Sequence, residues 1–167
     1  MVNLKNIRAF GGYNRNAEKR YSGQYKESQK LKTGDLVMGV TDMTQERRLV
    51  GHVAIIPDIG ETMTFSMDLI KLVPLSVKKN FIYAVMYYGG YSKKISQLAN
   101  GVNVLHLKPE SMMNMEMLIP TDEVMNQYDK IFAIYQKKIE ALQNQIQLLQ
   151  QARDKLLPRL MSGEMEV

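Results

Sequence analysis

The feature that most constrains this chain is a run of about 35 residues after Pro120 that contains neither glycine nor proline. Thr121 is a candidate N-cap, and Asp122 and Glu123 place negative charge in the first turn, where the helix dipole favours it. Pro158 is expected to end the run. At 1.5 Å per residue, the sequence predicts a helix over 121–158 that is roughly 50 Å long, followed by a polar tail over 159–167.

The apolar residues of this helix predict its packing. They recur at intervals of three, four and seven residues, which is typical of a helix that packs along another helix. The opposite face is rich in glutamine. A domain of about 120 residues is too small to cover the whole helix, so we expect pairing within an assembly; packing along its own domain is the alternative. The predicted pairing residues are Ile131, Tyr135, Ile139, Leu142, Ile146, Leu149 and Leu156.

The preceding residues, 1–120, have a different pattern. Short apolar or β-branched runs bounded by turn residues predict strands at 36–40, 53–56, 69–73 and 102–107. Residues 78–99 are predicted to form a helix with one apolar stripe. The first 33 residues are polar and are expected to form loops and edges more than core. The predicted fold class is α+β, a mixed α/β domain followed by a long coiled-coil-type helix.

The charge of the chain is concentrated at one end. The net charge is +5, and residues 1–50 alone hold ten Lys and Arg against five Asp and Glu. A localised basic region is the expected footprint of a polyanionic partner, although proteins that bind no nucleic acid also have such regions. No apolar run is long enough to span a bilayer and no signal peptide is evident, so we expect a soluble cytoplasmic protein.

The sequence offers little for catalysis or for binding metals. It contains no cysteine, and its two histidines, His52 and His106, lie in strand-like runs and are interpreted as structural. A Gly-x-Ser-x-Gly nucleophile elbow is absent, and neither Gly34 nor the Gly89-Gly90 pair continues as a phosphate-binding loop. We therefore expect no metal site, no cofactor and no enzymatic activity.

Several short motifs carry a resemblance to a known family. Residues 153–164 have the sequence Arg-Asp-Lys-Leu-Leu-Pro-Arg-Leu-Met-Ser-Gly-Glu, and residues 31–37 have the sequence Leu-Lys-Thr-Gly-Asp-Leu-Val. Ala-Asn-Gly-Val at 99–102 and Leu-Ile-Pro at 118–120, followed by Gln127, complete the set. Together they resemble the specificity subunit of type I restriction–modification systems, in which a target recognition domain precedes a long helix with such a tail.

The resemblance is to the C-terminal half of such a subunit. A full subunit has two recognition domains and two long helices, whereas this chain has one of each. Its opening, residues 1–7, resembles a strand from inside a recognition domain, so the N-terminal segment of that domain is expected to be missing from residues 1–120. Asn126-Gln127 stands where the family usually has Glu-Gln.

The resemblance implies a non-catalytic subunit that reads one half of a bipartite DNA target and positions methyltransferase and restriction subunits. Its partners would be double-stranded DNA, those subunits and a second specificity half, or a second copy, bound through the helix. The alternative is a truncated remnant that docks through its helix without reading DNA. The S-adenosylmethionine site would belong to the methyltransferase.

Three polar clusters are the predicted DNA contacts. An arginine can donate hydrogen bonds to guanine O6 and N7 together, so Arg47 or Arg48 is the expected guanine contact. Lys93 and Lys94 are expected to contact phosphates. The alternative for each of these residues is a solvated loop side chain. The first cluster is Arg15, Lys19, Arg20 and Tyr21, the second is Gln45, Arg47 and Arg48, and the third is Tyr91, Lys93 and Lys94.

Overall fold

The computed structural model describes residues 1–17 and 19–164, which form two compact units that divide between Met125 and Asn126. In the described residues, the first unit contains seven strands and two complete α-helices, and the second contains most of one long helix, which confirms the predicted α+β fold. The strands are β1 (Lys30–Leu31), β2 (Leu36–Gly39), β3 (Thr41–Asp42), β4 (Val53–Ile55), β5 (Met63–Thr64), β6 (Leu69–Leu72) and β7 (Leu105–His106). The helices are α1 (Lys79–Tyr87), α2 (Tyr91–Ser96) and α3 (Asp122–Met161).

The centre of the first unit is a three-stranded antiparallel sheet in the order β4-β2-β6. Val37 of β2 is opposite Ala54 of β4 on one side and Lys71 of β6 on the other. All four residues of β2 are buried, as expected for an apolar strand with neighbours on both edges. The other four strands form two separate two-stranded antiparallel sheets, β1 with β5 and β3 with β7. The predicted strands at 36–40, 53–56 and 69–73 are confirmed in position.

The first 33 residues contribute to the core, so the expectation of loop and edge structure is wrong in this respect. Val2, Ile7, Tyr13 and Leu31 are buried in the main apolar cluster. Val2 is held there because its N–H donates to the carbonyl of Thr64 at 2.7 Å. The position of Val2 therefore depends on a backbone hydrogen bond to a residue far away in the sequence, which no local pattern reveals.

The helix predicted over 78–99 is two helices, α1 and α2. The N–H groups of Tyr88 and Gly89 both donate to the carbonyl of Ala84, which closes the last turn of α1. Gly90 follows with a positive φ of 77°, a conformation that glycine adopts without strain. The glycine pair therefore ends one helix and starts the next in a new direction.

The strand predicted over 102–107 is reduced to β7, Leu105–His106. Gly101 has a φ of 150°, and a Cβ there would lie 1.9 Å from the carbonyl oxygen of Val104, so the chain turns tightly on itself. The N–H of His106 donates to the carbonyl of Asn100 at 2.8 Å, and the reverse bond is 3.0 Å. Residues 101–104 are thus a loop, and its Val102 side chain is exposed.

The long helix α3 begins as predicted and ends three residues later than predicted. Thr121 is its N-cap, since its Oγ1 accepts from the N–H of Val124 at 3.5 Å. Pro158 lies inside the helix, which continues to Met161. A proline near a helix end removes one backbone donor without preventing a final turn, and the N–H of Ser162 donates to the carbonyl of Pro158 at 2.9 Å.

The apolar stripe of α3 is exposed in the part of the chain that the structure describes. The seven predicted pairing residues are 42% to 70% exposed, a high value for large apolar side chains at a regular spacing. They are Ile131, Tyr135, Ile139, Leu142, Ile146, Leu149 and Leu156. In the described part of the chain, no helix is long and apolar enough to cross a bilayer.

Candidate nucleic-acid interface

The second predicted cluster lies on a loop, residues 43–51, that is organised by the carboxylate of Asp42 at the end of β3. Oδ2 of Asp42 accepts from the N–H groups of Leu49 at 2.7 Å and Val50 at 3.4 Å. Oδ1 accepts from the N–H and the hydroxyl of Thr44 at 2.9 and 3.0 Å. One buried side chain thereby holds both ends of what we call the Asp42 loop.

The hydrogen bonds of Asp42 also determine its protonation. Burial of the carboxylate raises the pKa, and the donors from Leu49, Thr44 and Val50 lower it by more, so the pKa of Asp42 is held below its ordinary value. Asp42 is therefore ionised at neutral pH and acts as a fixed acceptor. This places a negative charge beneath the loop without exposing it, since Asp42 is only 1% exposed.

Arg47, an expected guanine contact, has a strong intramolecular role. Its φ is 54°, and its guanidinium donates to the carbonyls of Ser96 at 3.5 Å and Ala99 at 3.4 Å, at the C-terminal end of α2. Cations are favoured at that end of a helix, where carbonyls lack amide partners. Gln45 behaves similarly, because its Nε2 donates to the carbonyl of Val102 at 2.7 Å.

Arg48 is the more accessible of the two arginines. It is exposed on the Asp42 loop, and its Nε forms an ion pair with the carboxylate of Glu46, which is exposed as well. An ion pair between solvated side chains contributes little to stability and can exchange for another anion. Of the two expected guanine contacts, Arg48 therefore has the guanidinium that is available to a partner.

The third cluster lies on α2, next to the Asp42 loop. Lys93 and Lys94 are exposed, and Lys94 Nζ lies 4.8 Å from the centre of the Tyr91 ring. Gly51 explains the close approach of the loop to this helix, because a Cβ at Gly51 would lie 2.9 Å from the backbone nitrogen of Ser96. The structure thus brings the second and third clusters together on neighbouring segments.

The first cluster occupies a different place. Arg15 lies in a short 3-10 helix, Arg15–Ala17, while Lys19, Arg20 and Tyr21 line a cleft of about 450 Å³ beside β5. The hydroxyl of Tyr21 donates to the carbonyl of Gln24 at 3.2 Å. This cleft is basic and rich in tyrosine, yet the described residues that line it include none from the Asp42 loop or α2.

Asp35, in the Gly-Asp motif, is structural. Its carboxylate binds Lys71 Nζ at 2.6 Å and Lys79 Nζ at 3.4 Å, which ties β2 to β6 and α1. Burial raises the pKa of Asp35, but the hydrogen bonds from Lys71 and from the N–H of Lys32 lower it by more. The pKa of Asp35 is therefore below its ordinary value. Lys71 and Lys79 thus share one buried carboxylate, which offsets one of their two positive charges.

His52 is buried, as the sequence predicts for a structural histidine. Burial lowers its pKa, although hydrogen bonding to the backbone at Phe10 and Arg47 and the charge of Asp42 partly oppose this. His106 belongs to β7. Across residues 1–17 and 19–164, the histidines and carboxylates form no group of three or more that could hold a metal ion.

The residue that the sequence analysis missed is Asp42. In the sequence it is an aspartate two residues after the strand predicted at 36–40 and two residues before Thr44. That spacing favours an Asx-type turn, and the signal could have been found. Its hydrogen bonds to the N–H groups of Leu49 and Val50 could not have been found from the sequence, because they depend on the folded path of the loop.

Comparison with known proteins supports the family indicated by the motifs. The chain is similar to the type I restriction enzyme MjaIX specificity subunit of Methanocaldococcus jannaschii, with 30% identity over 93 residues. The match covers 56% of this chain and 21% of the relative, so the chain spans about a fifth of the length of the relative it matches. No family model matches the sequence.

Proposed function

We propose that this protein is a non-catalytic DNA-recognition subunit of a type I restriction–modification complex, which reads one half of a bipartite target. In this proposal the first unit contacts DNA through the Asp42 loop and α2, with Arg48 at a base edge and Lys93 and Lys94 at phosphates. The helix α3 pairs with a second specificity half, or a second copy, and docks to methyltransferase and restriction subunits. In this proposal the chain binds no cofactor of its own and acts in the cytoplasm.

The observation that carries the proposal is the meeting of the Asp42 loop with α2. Sequence-specific readers need side chains that reach base edges and cations that hold phosphates nearby, both on well-fixed backbone. Arg48 provides the first on a loop fixed by Asp42, and Lys93 and Lys94 provide the second on the adjacent helix. The similarity to a specificity subunit supports the same conclusion.

The proposal is tested by co-expressing the chain with the type I methyltransferase subunit of its host and mapping modified bases in the DNA of the expression strain. We expect methylation at one split motif. A palindromic motif would indicate that two copies pair and that each reads one half-site. Absence of methylation from a purified complex with the methyltransferase would contradict DNA reading.

Variants of the Asp42 loop make the test specific. Arg48→Ala should weaken or broaden the motif at one base position, because a bidentate arginine contact contributes about 1–3 kcal/mol of discrimination. Arg153→Ala is a matched control, since Arg153 is also exposed and paired with a neighbouring carboxylate, Asp154. An unchanged motif with Arg48→Ala would refute the assignment of this residue.

A second candidate function is docking through α3 without DNA reading. The observation that favours it is that Arg47 and Gln45 donate to carbonyls of their own chain. Replacing Leu142, Ile146 and Leu149 with Asp should abolish association, because charges would replace exposed apolar side chains of the stripe. If this variant still elutes at the assembled size, the pairing of α3 is refuted; if wild-type protein assembles yet directs no methylation, docking alone remains.

A further inference from the structure

The most unusual backbone of the first unit occurs in two turns that touch. Among residues 1–17 and 19–164, Phe10 with a φ of 66° and Arg47 with a φ of 54° are the non-glycine residues in the left-handed region. Their turns meet because the N–H of Phe10 donates to the carbonyl of Arg48 at 2.8 Å. Residues held in this strained region are concentrated at functional sites.

The turn that carries Phe10 is fixed on several sides. Within it, Gly11 N–H donates to the carbonyl of Arg8 at 2.8 Å, and Gly12 N–H donates to the carbonyl of Val53 in β4 at 2.8 Å. Gly11 also lies against Tyr87 of α1, so closely that a Cβ would be 2.5 Å from the tyrosine Cδ2. The position of Phe10 is therefore determined by β4, α1 and the Asp42 loop together.

The phenylalanine ring is presented to the outside. Phe10 is 59% exposed, and its ring makes an edge contact with His52 at a centroid distance of 5.6 Å. A large aromatic side chain that is both strained and exposed contributes little to folding. This combination indicates a partner that covers the ring.

The charge around Phe10 indicates what that partner is. Arg8 and Arg48, one on each turn, are exposed, and Arg48 is ion-paired with the exposed Glu46, so the two turns carry an apolar ring, two guanidinium groups and one carboxylate. We call Arg8, Phe10 and Arg48 the paired-turn surface. In the DNA major groove, anionic phosphates flank base edges whose apolar group is the C5-methyl of thymine, which phenylalanine can contact.

We propose that Phe10 is a specificity-determining residue that packs against the C5-methyl group of a thymine in the recognised half-site, beside the base bound by Arg48. This inference rests on the proposed function and deepens it by naming a base feature. The strained turn would hold the ring at a fixed depth relative to the Arg48 guanidinium. Thymine would thereby be distinguished from cytosine at that position.

The test uses the chain in complex with the methyltransferase subunit and a duplex that carries the methylated motif. Each thymine of the motif is replaced in turn by uracil, which pairs identically but lacks the methyl group. We expect one substitution to weaken binding about fourfold in a competition assay, the effect of withdrawing one buried methyl. Phe10→Ala should bind the thymine and uracil duplexes equally.

Two further variants separate recognition from folding. Phe10→Gly removes both the ring and the strained side chain, so it should lose thymine discrimination while its melting temperature is kept or raised. Leu75→Ala, at a residue that is 97% exposed and lies elsewhere in the first unit, should keep the discrimination. If Phe10→Gly loses discrimination only together with folding, the ring is structural and the inference is overturned.

The outcomes also separate this inference from the proposed function. Specific binding that is insensitive to every thymine-to-uracil change, or Phe10→Ala that keeps the wild-type sensitivity, would overturn the role of Phe10 alone. A recognised half-site without thymine on either strand would have the same consequence. A complex that binds no duplex specifically would overturn the proposed function and this inference together.

Discussion

The geometry of the Asp42 loop depends on one carboxylate. Asp42→Ala would leave the N–H groups of Leu49 and Val50 without their acceptor, and Val50 is fully buried. Because an unsatisfied buried donor is costly and these bonds go to a charged group, we expect a loss of about 3 kcal/mol in the free energy of unfolding. Denaturant titration measures it directly.

A matched control for Asp42 exists on the same unit. Asp58 also accepts from a backbone N–H two residues later, that of Gly60 at 3.0 Å, but it is exposed and makes no comparable set of bonds in the described structure. Asp58→Ala should therefore cost no more than about 1 kcal/mol. If the two alanine variants lose equal free energy of unfolding, the buried hydrogen bonds of Asp42 contribute no more to stability than the exposed bond of Asp58.

His52 gives the fold a pH dependence whose sign can be worked out. Burial lowers the pKa of His52, so the unfolded chain takes up a proton at a higher pH than the folded chain does. The free energy of unfolding should fall as pH decreases from the ordinary histidine pKa of about 6.5 towards the lower folded value. His52→Phe should flatten this part of the stability curve; the same slope in both proteins would contradict the assignment.

Residue roles were predictable only where they depend on local sequence. The sequence indicates that residues 45–48 form a polar loop, and this part is correct. It does not indicate that Arg47 caps the carbonyls of Ser96 and Ala99, because that contact combines a positive φ with a separation of about 50 residues. His52 is interpreted as structural because a lone histidine in an apolar run has few other roles, and its burial is consistent with this.

At the scale of elements, α3 was predicted best. A run without glycine or proline, begun by Thr121 and carrying one apolar stripe, determines a helix without reference to the rest of the chain. Its end was misplaced because Pro158 was expected to stop it. A single proline near the end costs one hydrogen bond, and the remaining donors suffice for one more turn.

Removing that proline should strengthen the end of α3. Pro158→Ala restores an N–H donor for the carbonyl of Asp154, and alanine is the best helix former. We expect the amides of residues 159–161 to exchange about fivefold more slowly, equivalent to about 1 kcal/mol of local stability, because a helix end frays. Hydrogen exchange with fragment analysis measures this; unchanged protection at these amides would contradict it.

The shorter elements were predicted less well because tertiary contacts decide them. Residues 78–99 have one apolar stripe, but the buried residues of α1 are Tyr83 and Met86, and the Gly89-Gly90 pair redirects the chain. Residues 102–107 are β-branched or apolar at several positions, and yet Gly101 turns most of them into a loop. In both places a glycine conformation overrides side-chain pattern.

At the scale of the whole molecule, the proposed function predicts a salt dependence. Each cation that binds a phosphate releases counterions, so binding of duplex DNA should weaken linearly on a log–log plot against salt concentration. Replacing Lys93 and Lys94 with Gln should reduce that slope by about two, since each contact contributes about 0.9. Fluorescence anisotropy at several salt concentrations provides the slope.

The adjacent pair Lys137 and Lys138 on α3 provides a control with the same change in charge. Its replacement with Gln should leave the slope unchanged, because the proposed DNA contacts lie in the first unit. If the two double variants lower the slope equally, binding follows total charge and the assignment of Lys93 and Lys94 is refuted.

The general architecture could be predicted, and the composition of the core could not. Two contrasting sequence patterns correctly indicated a mixed α/β unit followed by one long helix. The contribution of Val2, Ile7 and Tyr13 to the core was missed, because isolated apolar residues in a polar segment carry no periodic signal. The position of Val2 also depends on a hydrogen bond to Thr64, which lies far away in the sequence.

The Asp42 loop separates the residue that maintains its shape from the residues that face outwards. Met43, Glu46 and Arg48 are exposed, whereas the carboxylate of Asp42 accepts hydrogen bonds from Thr44, Leu49 and Val50. Mutations at the outward positions can therefore accumulate without a penalty in folding. Such a loop is suited to evolutionary diversification: a lineage could acquire new surface chemistry there while its scaffold stays unchanged.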